Sequence, residues 1–145
     1  MQLIYAEQVE HLDVEEMQNT HEEEIALLND LDKTATLYGL GRADVSDLET
    51  KIDAYIAHLK VHFKNEERLM RKYDFPSYDM HKMAHDIFLS DIGLTIDQWK
   101  SFGDINKVIN FIRKSPEWIV MHIDTVDAPT SAYIAKKMAL EKANK

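Results

Sequence analysis

Along residues 48–69 the core-type positions advance by alternating steps of four and three: Leu48, Ile52, Tyr55, Leu59, His62, Glu66 and Leu69. Side chains at that spacing share one face of an α-helix and mark the inward seam of a bundle. Three further stretches repeat the pattern. Val14, Met17, His21, Leu28, Leu31, Ala35 and Tyr38 form one seam, and His81, His85, Phe88, Ile92 and Trp99 a second. Val108, Ile112, Ile119 and His122 form the last. Steps of three and four, rather than the strand step of two, dominate the chain, so the expected fold is all-α: an up-down-up-down four-helix bundle with a short C-terminal helix.

Turn and capping signals set the expected bounds. Asp13-Val14-Glu15-Glu16 has the form of a capping box and opens a first helix to about Tyr38, before Gly39 and Gly41. Ser46-Asp47-Leu48-Glu49 has the same form and opens a second helix to about Tyr73. Asp74-Phe75-Pro76-Ser77 makes a turn and leads into a third helix reaching about Lys100, and Gly103-Asp104 precedes the fourth. A break or kink is expected near Ser115-Pro116, because proline removes a backbone donor and disfavours helix at the residue before it. The fourth helix then resumes through Trp118 and His122 as far as Asp127-Ala128-Pro129, and a short helix over about 131–142 follows. Residues 1–145 read as a single domain, with the bundle over about 13–127.

Composition narrows the chemistry. A chain of 145 residues can bury a core without staples, and with no cysteine it makes no disulfide and offers no thiolate to a metal. Any metal site must use imidazole, carboxylate, carbonyl or water. A net charge of −9, from 26 acidic and 17 basic residues, argues against a nucleic-acid or anionic-membrane partner. No apolar run approaches the ~20 residues that span a bilayer, and the first residues lack the basic start and apolar stretch of a signal peptide. A cytoplasmic location is therefore expected.

The seams themselves carry the functional signal. His21, His62, Glu66, His81, His85 and His122 occupy positions that packing would fill with apolar side chains. Burying imidazoles and a carboxylate is costly unless something pairs with them, and a cation does so best. Four seams that each carry imidazole bring those groups into one region when the helices pack, which points to a metal site. Asp127, five residues after His122, would point to another side of an ideal helix. It can join the site only where the helix ends, as Pro129 suggests.

In order, His21, then His62-Phe63-Lys64-Asn65-Glu66, then His81-Lys82-Met83-Ala84-His85, then His122 followed by Asp127, resembles the pattern of the hemerythrin family. The resemblance spans the whole bundle and implies a non-haem di-iron centre that binds dioxygen. Carried over by position, it implies that His81, His85 and His122 bind one iron and that His21 and His62 bind the other. Glu66 and Asp127 would bridge both, together with an oxo or hydroxo group. It also implies an open place on the second iron for dioxygen. Ile25, Phe63, Trp118 and Ile119, by sequence adjacency, are expected to line that pocket and shield it from water. Gln18 stands where many bacterial members of the family have aspartate, so the ring of His21 is expected to have a weakened or replaced outer acceptor. His11 and His58 lie outside the pattern.

The function so implied is reversible dioxygen binding for carriage, storage or delivery, with no enzymatic step. The alternatives are an oxygen or redox sensor, or a di-iron oxidoreductase acting on peroxide or nitric oxide. A ferritin-like carboxylate enzyme uses paired Glu-x-x-His motifs. None of the seven histidines here has glutamate three residues before it, which disfavours that class.

Overall fold

The computed structural model describes residues 2–144. Five α-helices follow a short 3-10 turn at Ala6–Gln8: α1 (Glu15–Gly39), α2 (Val45–Lys72), α3 (Tyr78–Phe102), α4 (Ile105–His122) and α5 (Ala128–Ala143). No strand occurs among the described residues. Helix α1 packs on α2 and α4, and α3 packs on the same two, the arrangement expected when short turns join antiparallel neighbours. Every seam position on α2 is buried, as are those of α3 and α4, and on α1 only Tyr38 is left half-buried.

Local chemistry explains where the helices begin and end, and it differs from the sequence reading in three places. The box expected at Asp13 does not form: Val14 is the N-cap, and its backbone N–H donates to Ser131 Oγ at 3.0 Å. A hydroxyl from α5 thus satisfies one of the first orphan donors of α1. The second box sits two residues earlier than expected, on Asp44, with the Asp47 carboxylate accepting the Asp44 backbone N–H at 3.3 Å. Asp104 caps α4 by accepting from the Asn106 N–H at 3.0 Å, and Gly103 ends α3 in the left-handed region at φ 77°.

The third difference concerns the fourth helix. It runs unbroken through Pro116, where the Ser115 hydroxyl donates to the Phe111 carbonyl at 2.8 Å and Ser115 fills a buried seam position. Tertiary packing on both sides outweighs the lost donor. The irregularity falls later, in a π-helical turn at Ile123–Asp127, after which α5 continues directly from Ala128 rather than starting as a separate helix near residue 131. The Ala128 N–H bonds to the Ile123 carbonyl, five residues back. Proline at 129 lacks the N–H that an α register would aim at Thr125, so widening the turn there loses little.

Residues before 13 also join the core. Ile4 and Leu12 are buried, and Asn29 on α1 holds this segment by accepting the Leu3 and Ile4 N–H groups and donating to the Ile4 carbonyl. Ile134 of α5 is buried in turn, so the segments before and after the bundle both pack on it.

Candidate metal centre

Seven polar side chains meet in the interior, towards the end of the bundle where α1 and α3 begin: His21 from α1, His62 and Glu66 from α2, His81 and His85 from α3, His122 from α4 and Asp127 from the π turn. All are buried. In each of α2 and α3 a four-residue spacing stacks two of them one turn apart on the inward face. The last pair is five apart, and the π turn brings it together, since a turn closed by an i→i−5 bond returns residue 127 towards residue 122. His122 Nε2 lies 3.0 Å from Asp127 Oδ1. The helix does not end to bring Asp127 in; it widens.

The atoms divide into two groups. Glu66 Oε1 lies 3.2 Å from His81 Nε2 and 3.1 Å from His85 Nε2, and Asp127 Oδ1 lies 3.0 Å from both His81 Nε2 and His122 Nε2. The other oxygens face the other way. Glu66 Oε2 is 2.7 Å from His62 Nε2 and 3.5 Å from His21 Nε2, while Asp127 Oδ2 is 2.9 Å from His21 Nε2. Each carboxylate therefore gives one oxygen to a three-imidazole group and one to a two-imidazole group.

One of these pairs, His62 Nε2 with Glu66 Oε2 at 2.7 Å, is a hydrogen bond. Among the described residues, His21 Nε2, His81 Nε2, His85 Nε2, His122 Nε2, Glu66 Oε1 and Asp127 Oδ1 are buried without a well-aligned hydrogen bond, although oxygen and nitrogen stand close together. Within each group the candidate ligand atoms all lie within 4.8 Å of one another. Two ligands in adjacent positions of a six-coordinate ion, with bonds of about 2.1 Å, are about 3.0 Å apart. The nitrogen and carboxylate donors present fit a cation, and each group alone has the composition of a metal site.

Charge inside the metal-free cluster follows the same contacts. Burial by itself would lower the pKa of His21, but the facing Asp127 and Glu66 carboxylates outweigh it and raise it to about 10. His81 rises to about 9 by the same balance, against the same two carboxylates. Burial would raise the pKa of Glu66 and Asp127, yet the surrounding imidazoles hold both well below the usual carboxylate range.

The far side of each ring is set by other residues. His81 Nδ1 donates to Thr130 Oγ1 at 2.8 Å, and that hydroxyl donates onward to the Val126 carbonyl at 2.8 Å. His85 Nδ1 is 3.0 Å from Glu67 Oε2. Gln18 turns away from His21, accepting from the Leu12 N–H at 2.8 Å, and His21 Nδ1 has no partner among the described residues. Phe63 stacks on His85 with ring centres 3.9 Å apart, and Trp118 stacks on His122 at 4.4 Å. Both therefore wall the three-imidazole group, while Ile25 and Ile119 are buried in the core. His11 is exposed, and His58 is half-buried with Nε2 3.2 Å from the Thr20 carbonyl.

Three residues with chemistry at this centre were missed from the sequence: Glu24, Glu67 and Thr130. Glu24 is buried, with Oε2 3.7 Å from His62 Nδ1. Its signal was the seam itself, since position 24 is the step between His21 and Leu28 that the apolar pattern passes over. Thr130 had no such signal, because its place depends on the π turn.

A helical bundle with a buried imidazole and carboxylate cluster of this donor set defines a metal-binding bundle protein. The chain matches the Hemerythrin HHE cation binding domain over residues 12–128. It is 34% identical over 116 residues to the bacteriohemerythrin of Aquifex aeolicus (strain VF5), covering 79% of this chain and 85% of that protein. It is also 34% identical over 113 residues to a hemerythrin-like protein of Naegleria gruberi, covering 77% of each. Hemerythrin subunit 1 of Golfingia vulgaris is 38% identical over 66 residues, 46% of each chain. This chain belongs to the hemerythrin family.

Proposed function

We propose that this chain, acting as one hemerythrin-like domain, binds dioxygen reversibly at a di-iron centre. His81, His85 and His122 would hold one iron through Nε2, His21 and His62 the other, and Glu66 and Asp127 would contribute an oxygen to each. The observation that carries this reading is the division of both carboxylates, Glu66 and Asp127, between a three-imidazole and a two-imidazole group. Of two ions sharing two carboxylates, the one with a nitrogen fewer would have one more place for a small ligand.

When bound, a pair of ferrous ions supplies the two electrons that reversible dioxygen binding needs. The chain's own residues set the conditions. Five neutral imidazoles and two carboxylates keep the reduced site positively charged, so they do not push it strongly towards irreversible oxidation. Thr130 and Glu67 hold His81 and His85 in the tautomer that presents Nε2 inward. Phe63 and Trp118 cover the three-imidazole side, and the buried Ile25 and Ile119 add to the apolar surroundings that keep out water and protons, whose access would drive release of reduced oxygen instead of dioxygen.

The test is the visible spectrum of the reduced, iron-loaded protein exposed to air and then degassed. A charge-transfer band that appears and then disappears over repeated cycles is the expected result. Irreversible conversion to a ferric product would sink reversible carriage and favour redox enzymology. In His62→Ala the band is expected to be lost, and its retention would show that the open place lies elsewhere.

A further inference from the structure

On the facing helices α1 and α2, three buried polar atoms stand without hydrogen-bond partners among the described residues: His62 Nδ1, Glu24 Oε1 and the Tyr55 hydroxyl. Their residues are 3%, 3% and 1% exposed, so water does not reach them from the surface. Unpaired groups at that depth cost stability, and a native core seldom carries several together without a use. All three lie on facing seams. Tyr55 is two turns before His62 on α2, and Glu24 projects from α1 with Oε2 3.7 Å from His62 Nδ1.

Their chemistry is complementary. An imidazole that binds a metal through Nε2 keeps its proton on Nδ1 and needs an acceptor there. A carboxylate is an acceptor with two oxygens, and a phenol is a donor. We propose that Glu24 is the outer partner of His62: it accepts the Nδ1–H of the metal-bound ring and takes a second hydrogen bond from the Tyr55 hydroxyl. At 3.7 Å the first bond is not made in the metal-free geometry, and a shift of under 1 Å by the glutamate side chain closes it. Burial and then the nearby Glu24 charge raise the Tyr55 pKa well above 10, so the phenol keeps its proton and remains a donor.

The consequence is a difference between the two metals. Thr130 and Glu67 support rings of the three-imidazole group, whereas His21 Nδ1 has no outer partner among the described residues. Glu24 is then the anionic support of the two-imidazole metal, the one with the open place. Glu24 is a positioning residue that acts through His62. This inference rests on the ligand assignment given above.

The experiment is an anaerobic titration of the metal-free protein with ferrous ion, alone and with the variants Glu24→Leu, Glu24→Gln and Tyr55→Phe. The parent protein is expected to bind two ions per chain. Glu24→Leu should bind one ion as the parent does and the other about 10- to 100-fold more weakly. Its metal-free form should melt no lower than the parent's, because an unpaired buried carboxylate has gone. Glu24→Gln keeps an acceptor oxygen and should recover most of the affinity, and Tyr55→Phe should show a smaller loss of the same kind. In the zinc-loaded protein, Glu24→Gln should also move the His62 Nδ1–H resonance upfield, since a neutral acceptor replaces a charged one. Parent-like binding of both ions in Glu24→Leu, equal weakening of both, or an unmoved resonance would each overturn the proposal. Fewer than two ions in the parent protein would instead overturn the two-iron reading on which it rests.

Discussion

His21 and His81 face the same two carboxylates from opposite groups, and both are held protonated in the metal-free protein well above the ordinary histidine pKa of 6.5. A base whose folded pKa is raised contributes stability that is fully present below its unfolded pKa. That contribution is lost as pH climbs through the folded value. For these two residues the loss runs from about 6.5 up to about 9 and about 10. Glu66 and Asp127 act in the opposite sense, contributing above about pH 4 and losing it only in strong acid. The metal-free protein should therefore be more stable to urea at pH 6 than at pH 9, and equal midpoints would refute the charge assignment. Metal binding needs neutral rings, so ferrous affinity should rise over the same interval with release of protons.

At the scale of elements, the fourth and fifth helices carry two prolines with different outcomes. Pro116 interrupts nothing, because α4 is clamped between α1 and α3 and Ser115 donates to the Phe111 carbonyl. Pro116→Ala restores the bond to Ile112 and should stabilise the protein by about 1–2 kcal/mol, less than the full helix-interior penalty because proline also restricts the unfolded chain. A thermal melt checks this, and a lower melting temperature would show that the surroundings have adapted to the ring. Pro129 follows the π turn that aligns Asp127 with His122. The seams of the first four helices were legible in the sequence because helical periodicity is a local property. The π register was not, since one extra residue per turn cannot be told from a helix end by spacing alone. The caps at Asp13 and Ser46 misled for a similar reason: several acidic and hydroxyl residues stand near each helix start, and long-range partners such as Ser131 choose among them.

For the whole molecule, the centre links all four bundle helices and the π turn, so an ion held there ties elements that are far apart in the chain. Binding to the folded state alone adds stability that grows with ion concentration, about 2.7 kcal/mol at a hundredfold excess over Kd. Chelating the metal should lower the melting temperature, and re-addition of ferrous ion should restore it. No change would mean that the cluster is satisfied without a cation. The charge of −9 disfavours an anionic partner, and no helix of the described residues is long and apolar enough to cross a membrane.

The sequence by itself determined the helical period, the four inward faces and the identity of the polar groups on them, including the spacing that resembles the hemerythrin pattern. It could do so because each of those features lies within one or two turns of a single helix. Tertiary structure alone decided that each carboxylate divides its oxygens between two groups of imidazoles and that Asp127 enters through a π turn. It also decided that the buried Glu24 carboxylate stands 3.7 Å from His62 Nδ1. Those outcomes depend on which seams face each other, at what height, and with which rotamers, and no local pattern along the chain encodes them.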